Sequence, residues 1–277
     1  MTDSRLTDCR SVRIDHLQEH VAELVLIGPG HGNAMGPDFW REFPAVVAEL
    51  QADVSLRCLV LRGEGSHFCY GLDLQGMVGE VGAMLQDGAA GRARIIAQAA
   101  KMVEGVDALA AGRLPVVAAV DGWCIGAGIE LIAACDLRLA SRAAQFALRE
   151  VKVGMVPDLG GIARLPHLIG EGWSRELALT GDAIDAATAR EIGLVNHVLD
   201  DGEALLAKAR ELADRIAANP PLVVAGIRQV MNARIHGKVR DGNREAATLN
   251  GMLMQSEDFA EAMRAFMEKR APKFRGR

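Results

Sequence analysis

Short apolar runs alternate with longer amphipathic segments along the first half of the chain. The segments SVRIDHLQ and VAELVLI, within residues 11–27, have the length and composition of two strands. The run RCLVLRG at 57–63 is continuously apolar at its centre, which predicts a buried strand. Between them, Pro37 begins an amphipathic segment that extends to about Gln51 and predicts a helix with proline in its first turn.

The second half of the chain continues this alternation and then becomes helical. An alanine-rich stretch at about 80–111 predicts a long helical region, and LPVVAAV at 114–120 predicts another buried strand. Two short strands are expected at 137–141 and 144–148, and from Gly160 onward the pattern is almost entirely helical. Strand–helix alternation followed by a helical tail predicts an α/β core with a C-terminal helical segment.

Composition and charge disfavour several classes of function. The net charge of −5 argues against a nucleic-acid or anionic-membrane partner, because both attract basic surfaces. The chain begins with the polar MTDSRLTDCR and has no apolar stretch near the roughly 20 residues of a membrane span, so no signal peptide or membrane anchor is expected. Its five scattered cysteines are never spaced as CxxC, which disfavours a metal site or a disulfide framework. We expect a cytoplasmic protein with reduced thiols.

Two glycine-containing segments follow predicted buried strands. They are Tyr70-Gly71-Leu72-Asp73 and Gly126-Ala127-Gly128, and the second leads directly into a predicted helix. Glycine at such turns lets a ligand approach main-chain N–H groups. Two such turns facing each other could offer two N–H donors to one carbonyl oxygen, which is an oxyanion hole. The alternative is that these glycines serve only the strand-to-helix turns.

Other glycine-based sites are disfavoured by the same sequence. GAGIEL lacks the third glycine of a dinucleotide-binding fingerprint. The chain contains neither the phosphate-binding pattern G-x-x-x-x-G-K-[ST] nor the nucleophile pattern G-x-S-x-G. Nucleotide hydrolysis and serine hydrolysis are therefore not expected.

Three carboxylates are candidates for acid–base chemistry. Glu130 stands in IGAGIELIAAC with apolar residues on both sides, so burial would raise its pKa and let it act as acid or base near neutral pH. Glu150 follows the strand at 144–148, and Asp158 lies in VGMVPDLGG before a glycine pair. For Glu150 the alternative is a surface ion pair with a basic neighbour in sequence, and for Asp158 it is a cap of the following helix. Asp73 is expected to fix its own turn.

Four ordered motifs resemble those of the crotonase (enoyl-CoA hydratase/isomerase) superfamily. They are NAMG at 33–36, HFCYGLDL at 67–74, PVVAAVDGWCIGAGIELIAACD at 115–136 and FMEKRAPKFRGR at 266–277. The resemblance implies an α/β crotonase (ClpP-like) fold of repeated ββα units with a C-terminal helical segment, assembled as a homotrimer or a dimer of trimers. It predicts a core domain at 1–200 and a helical trimerisation segment at 201–277.

The same resemblance implies an acyl-coenzyme A thioester substrate and neither a separate cofactor nor a metal. By their position in the motifs, the N–H groups of Leu72 and Ala127 would form the oxyanion hole. Residues in or near the motifs are expected to bind the acyl-CoA: Ala34, Cys69, Gly71, Asp73, Gly126 and Lys273. A lysine that often follows the second of these motifs is Gln75 here, so binding of the CoA phosphates would rest on Lys273 or Arg275 of a neighbouring subunit.

The three carboxylates bear on which reaction of the superfamily is catalysed. Enoyl-CoA hydratases add water with two glutamates, and their counterparts here are Glu130 and Glu150. The Δ3,5-Δ2,4-dienoyl-CoA isomerases use an acidic residue, a glutamate and an aspartate eight residues further on, a pattern that Glu130, Glu150 and Asp158 match. Typical hydratases have glycine at the last position.

Proton movement along a conjugated dienolate needs two acid–base groups some distance apart, whereas hydration needs two groups on one water. We therefore favour the isomerase, in fatty-acid β-oxidation. One departure favours the hydratase, because those isomerases commonly have aspartate where this chain has Glu130. Hydration is the alternative, and a non-catalytic binding protein on the same fold is the remote one.

Overall fold

The computed structural model describes residues 9–28 and 32–277. The first eight residues, which belong to the polar start that argued against a signal peptide, lie outside the described residues. The strands are β1 (Val12–Gln18), β2 (Val21–Leu26), β3 (Cys58–Gly63), β4 (Val116–Val120), β5 (Trp123–Ile125), β6 (Leu137–Ser141), β7 (Gln145–Ala147), β8 (Ala183–Asp185) and β9 (His197–Leu199). The helices are α1 (Pro37–Ala52), α2 (Leu74–Gln86), α3 (Gly88–Ala111), α4 (Ala127–Ala133), α5 (Gly161–Thr180), α6 (Ala186–Glu191), α7 (Gly202–Ala217), α8 (Pro221–Ala233), α9 (His236–Leu253) and α10 (Glu257–Met267), with a 3₁₀ turn at Glu150–Val153.

The strands form two sheets. The larger has the order β1-β2-β3-β4-β6-β9, in which β1 and β2 are an antiparallel hairpin and all later neighbours are parallel. The smaller has the order β5-β7-β8, with β5 and β7 parallel. Parallel β3 and β4 end at the same edge of the larger sheet, and both glycine-containing turns lie beyond that edge.

Side chains cover the larger sheet on both faces. Leu59 and Leu61 of β3 belong to the main core, which includes the buried face of α1. Cys58 and Val60, which alternate with them, pack with Leu205 and its neighbours on α7. Because β3 is buried on both sides, its sequence is apolar at successive positions rather than at every second one.

The predicted α/β class and C-terminal helical region are confirmed, and two predictions about single elements need correction. The region after Gly160 was expected to be almost entirely helical but contains β8 and β9. The helical region expected at 80–111 begins earlier, at Leu74, and is two helices that are divided at Asp87. Gly88 has a φ of +56°, a conformation that favours glycine and changes the chain direction there.

The C-terminal helices pack closely on the rest of the chain. α7 covers one face of the larger sheet, α9 packs against α3 and α5, and α10 lies against the 3₁₀ turn. The boundary at residue 200 and the trimerisation role of residues 201–277 stay predictions. None of the helices described combines the length and apolar character that crossing a bilayer requires.

Candidate active site

The turn around Gly71 is held by a parallel bridge to the segment that precedes α1. The N–H of Met35 donates to the carbonyl of Gly71 (2.8 Å), and the N–H of Asp73 donates to the carbonyl of Met35 (3.1 Å). In such a bridge the N–H of the intervening Leu72 points to the opposite side. A second bridge joins this turn to β5, which leads into Gly126.

Glycine is required at two positions where the turns approach each other. Gly71 has a φ of +84°, and a β-carbon on it would lie 2.8 Å from the carbonyl oxygen of Ile125 and 3.4 Å from the nitrogen of Ala127. Gly126 has a φ of +52°, and a β-carbon on it would lie 2.7 Å from Oε1 of Glu150. The two turns therefore face each other, and the Glu150 carboxyl group lies beside them.

The main-chain donors predicted for the oxyanion hole lie at this junction. Ala127 is the first residue of α4, where helical N–H groups have no acceptor within the helix. Among the described residues, no main-chain or side-chain group accepts a hydrogen bond from the N–H of Leu72 or of Ala127. Both N–H groups are therefore available to a ligand. Two donors on facing turns can stabilise negative charge on a thioester oxygen. The assignment of these two residues stays a prediction.

A cavity of about 1130 Å³, the main cavity, opens at the facing turns. The predicted site residues that line it are Ala34, Gly71, Leu72, Asp73, Gly126, Ala127 and Glu150. The carboxylate of Asp73 also accepts the N–H of Gly76 (3.0 Å) and caps α2. Its expected role in fixing the turn is confirmed, while contact with a substrate stays a prediction.

Cys69 and Lys273, both predicted to bind the acyl-CoA, lie elsewhere. Cys69 is buried beneath the turn, where its Sγ accepts the N–H of Gly71 (3.3 Å) and donates to the carbonyl of Asn33 (3.2 Å). Its side chain supports the turn instead of lining the cavity, and burial raises the pKa of its thiol to about 12. Lys273 is exposed in a separate charged groove beside α10, together with Arg275.

A second, apolar cavity adjoins the main one. This apolar chamber has a volume of about 210 Å³ and shares Leu72, Leu74 and Met155 with the main cavity. Six methionines line it, namely Met77, Met84, Met102, Met155, Met254 and Met263. Flexible, polarisable methionine side chains adapt to apolar groups of irregular shape. Among the described residues that line this chamber, Asp158 is the only ionisable one.

Glu150 is a buried carboxyl group in the wall of the main cavity. Glu150 is the first residue of the 3₁₀ turn. None of the described residues donates a hydrogen bond to its Oε2. Burial raises its pKa to about 7, and the nearby charge of Asp158 adds to the effect. The alternative of a surface ion pair does not hold, because Lys152 pairs with Asp182 (3.3 Å) and Arg149 lies over the Trp123 ring.

Asp158 lies in the loop between the 3₁₀ turn and α5. It does not cap α5, which follows Gly160 without a side-chain cap. Its Oδ2 accepts a hydrogen bond from Nδ2 of Asn250 on α9 (2.9 Å). Burial raises the pKa of Asp158, and the hydrogen bond from Asn250 opposes part of that rise.

Glu130 is buried on α4 but lines neither cavity in the described structure. Its Oε2 accepts the N–H groups of Leu159 (2.9 Å) and Gly161 (2.8 Å), so it holds the loop that carries Asp158. Burial raises its pKa well above the usual range, and the charges of Glu150 and Asp158 raise it further. The rise expected from its apolar neighbours in sequence is therefore present, and a catalytic role stays a prediction.

Sequence reasoning missed Asn250, which contacts a candidate catalytic residue. It lies on the buried face of α9, together with Ala246, Ala247 and Gly251. An asparagine on the apolar face of an amphipathic helix was the one available signal, because a buried amide needs hydrogen-bond partners. The sequence gives no indication that its partner lies 92 residues away.

The chain is similar to known proteins over nearly its whole length. The sequence profile of the enoyl-CoA hydratase/isomerase family matches residues 16–277. A mitochondrial Δ3,5-Δ2,4-dienoyl-CoA isomerase of Dictyostelium discoideum is 37% identical over 277 residues, covering 98% of this chain and 93% of that protein. An enoyl-CoA hydratase of Mycobacterium tuberculosis is 34% identical, covering 93% and 94%. The crystal structure of an enoyl-CoA hydratase/isomerase from Pseudoalteromonas atlantica matches with a TM-score of 0.83 at 26% identity, covering 96% of this chain and 100% of that one.

Proposed function

Because the chain belongs to the enoyl-CoA hydratase/isomerase family, we propose that it is an acyl-CoA enzyme of the Δ3,5-Δ2,4-dienoyl-CoA isomerase type. The predicted superfamily and crotonase fold are confirmed by the same matches. The choice of reaction rests on one observation above all. Glu150 lines the main cavity at the facing turns, whereas Asp158 lines the adjoining apolar chamber.

This separation fits a proton transfer between two distant carbons of one acyl chain. With the thioester oxygen at the N–H groups of Leu72 and Ala127, C2 of a 3,5-dienoyl-CoA lies on the main-cavity side, within reach of Glu150. The chain then continues past Leu72 and Met155 into the apolar chamber, where C6 approaches Asp158. Each end of the diene thus meets one carboxyl group.

The proposed reaction removes one proton from C2 and adds another at C6, and the substrate gains or loses no other atom. The Glu150 carboxylate removes a proton from C2, and the electron pair of the C–H bond spreads over C2, C4, C6 and the thioester oxygen as a dienolate. The two main-chain N–H groups stabilise the negative charge on that oxygen. Protonated Asp158 then delivers its proton to C6, which forms the 2,4-diene, and exchange with solvent restores both carboxyl groups. The raised pKa values of the two carboxyl groups support these roles.

The test is a pair of parallel spectrophotometric assays with 3,5-dienoyl-CoA and 2-trans-enoyl-CoA. The proposal predicts rapid appearance of the conjugated 2,4-dienoyl chromophore and slow hydration. It also predicts that Asp158→Asn abolishes isomerisation while binding of the thioester is nearly unchanged. Rapid hydration without isomerisation would establish the alternative instead.

Hydration of 2-trans-enoyl-CoA is the second candidate, and proximity of two glutamates favours it. Glu130 lies close enough to Glu150 for the charge of one to raise the pKa of the other. Two neighbouring glutamates can activate one water. However, Oε2 of Glu130 is occupied by two main-chain N–H groups, and Glu130 lines neither cavity of the described structure.

A non-catalytic binding protein on this fold is the remote alternative. Its test is a thermal shift, since a ligand at 100 times its dissociation constant adds roughly 2.7 kcal/mol to the free energy of unfolding. A shift with RNA and none with acyl-CoA would favour it. The net charge of −5 and the presence of all three carboxylates argue for the enzyme.

We further propose a homotrimer or a dimer of trimers in which residues 201–277 form subunit contacts. Apolar side chains on α8 support self-association, because Leu222, Val223, Ile227, Val230 and Met231 are all exposed in the single chain. Light scattering tests the oligomeric state, with a monomer of 29.6 kDa as the reference.

The CoA phosphates would bind Lys273 or Arg275 of a neighbouring subunit, and the reaction would need no further cofactor. The enzyme would act in fatty-acid β-oxidation, in the cytoplasm. Fractionation of expressing cells would test the cytoplasmic location.

A further inference from the structure

Asn250 holds the Asp158 loop through both ends of its side-chain amide. Its Oδ1 accepts the N–H of Val156 (2.9 Å), while its Nδ2 donates to the carbonyl of Val156 (2.8 Å) and to Oδ2 of Asp158 (2.9 Å). The side chain is 1% exposed, so water does not compete for these bonds. The pair of bonds to Val156 fixes which end of the amide carries the N–H groups.

The orientation of this amide constrains the Asp158 carboxyl group in both of its protonation states. An amide N–H can only donate a hydrogen bond, so Oδ2 of Asp158 must act as an acceptor whether or not the group is ionised. When Asp158 carries a proton, that proton is therefore placed on Oδ1. Glu130 holds the same loop at Leu159 and Gly161 but makes no hydrogen bond to the Asp158 side chain.

We propose that Asn250 is a positioning residue that fixes the transferable proton of Asp158 on Oδ1 and aligns it with an acyl chain in the apolar chamber. This inference rests on the proposed isomerase function. The other acidic groups around Asp158 are Glu150 on the 3₁₀ turn and Glu130 on α4. Both are negative when ionised, so Asn250 is the neighbour that favours the ionised form of Asp158.

The experiment compares Asn250→Leu with Asn243→Leu in the full-length chain. Leucine has the same branching and the same number of side-chain heavy atoms as asparagine but makes no hydrogen bond. Asn243 lies on the same helix, is 5% exposed and has no hydrogen-bond partner among the described residues, so it controls for loss of a buried amide. We expect Asn250→Leu to lower kcat for 3,5-dienoyl-CoA by about 30-fold or more with KM changed by less than about threefold, and Asn243→Leu to leave kcat within about twofold.

The pH profile separates positioning from simple support of the fold. Loss of the Asn250 donor raises the pKa of Asp158, so the limb of kcat at which Asp158 loses its proton moves to higher pH. Asn250→Asp provides a second variant, because its carboxylate still accepts the N–H of Val156 but cannot donate to Asp158 when ionised. It is expected to shift the same limb in the same direction, and it decides the test if Asn250→Leu does not fold.

The results distinguish failure of this inference from failure of the proposed function. A wild-type chain without isomerase activity would reject the function itself. An active wild type would leave the function standing, and equal kcat values for Asn250→Leu and Asn243→Leu would overturn the positioning role. An unshifted pH limb in both Asn250 variants would overturn it as well.

Discussion

Gly126 and Glu150 are in such close contact that a β-carbon at position 126 would lie 2.7 Å from Oε1 of the carboxyl group. The φ of +52° at Gly126 is itself unfavourable for any residue with a side chain. One glycine thus allows two features at once, the turn that presents the N–H of Ala127 and the position of Glu150 beside it. A methyl group at this position would disturb both.

The Gly126→Ala variant is expected to lower kcat by about 100-fold, comparable to the loss of one oxyanion-hole donor. Gly65→Ala is the matched control, since Gly65 also has a positive φ (+75°) but has open space where its β-carbon would lie. Backbone strain of about 1–3 kcal/mol is expected in both variants, and the contact with Glu150 should add a further loss of stability in Gly126→Ala alone. Equal kcat values for the two would show that the contact with Glu150 is unimportant.

Because it is buried, Glu150 is predicted to destabilise the fold increasingly as the pH rises toward neutral, and fully above about pH 7. Its pKa is about 7 in the folded chain and close to the ordinary glutamate value of 4.5 when the chain unfolds. The native state therefore retains the proton longer, and the free energy of unfolding falls as pH rises from about 4.5 to 7. Below that window the group is protonated in both states and its contribution is absent.

The neutral isostere Glu150→Gln should remove this loss. We expect the variant to be more stable than wild type at pH 8, by on the order of 3 kcal/mol at most, and nearly equal to it at pH 4. Denaturant titrations at the two pH values measure the difference, and activity should be lost at both. A stability gain that is the same at pH 4 and pH 8 would contradict the pKa of the buried group.

The apolar chamber is predicted to select substrates by the size of the acyl chain. Gly82 of α2 lines the chamber, and Gly79 on the same helix is exposed and does not; a β-carbon on either would meet open space. Gly82→Leu should fill part of the chamber and lower kcat/KM for long-chain dienoyl-CoA by about tenfold, with short-chain substrates within about twofold. Gly79→Leu is the control, because both changes raise helix propensity by roughly 1 kcal/mol. Equal chain-length profiles for the two variants would reject the assignment of the chamber.

The elements that sequence reasoning identified are those with strong local patterns. The buried β3 was predictable because both of its faces are apolar, and α1 because Pro37 precedes an amphipathic run. β8 and β9 have three residues each, which is too short for any periodicity to be visible. These strands exist because β7 and β6 offer them unpaired edges, and that is a property of the assembled sheets.

The same distinction applies to the candidate site. The glycine turns and the burial of Glu130 could be inferred from neighbouring residues, since positive φ and apolar surroundings leave local traces. The hydrogen-bond partners of Glu130 could not be inferred in this way. They are the main-chain N–H groups of Leu159 and Gly161, and every residue except proline has such a group. The contact between Asn250 and Asp158 depends on how α9 packs, and no local pattern encodes it.

Glu130 gives the sharpest distinction between isomerase and hydratase. In the isomerase proposed here it holds the loop of Asp158, and the carboxamide oxygen of Glu130→Gln can still accept two N–H groups. That variant is expected to keep kcat within about tenfold of wild type. Glu130→Ala leaves two buried donors unpaired, which removes about 1–3 kcal/mol of stability for each of them, and should lower activity together with the melting temperature. If Glu130→Gln instead lost both isomerisation and hydration while its melting temperature stayed unchanged, Glu130 would be a proton-transferring group and the hydratase mechanism would be favoured.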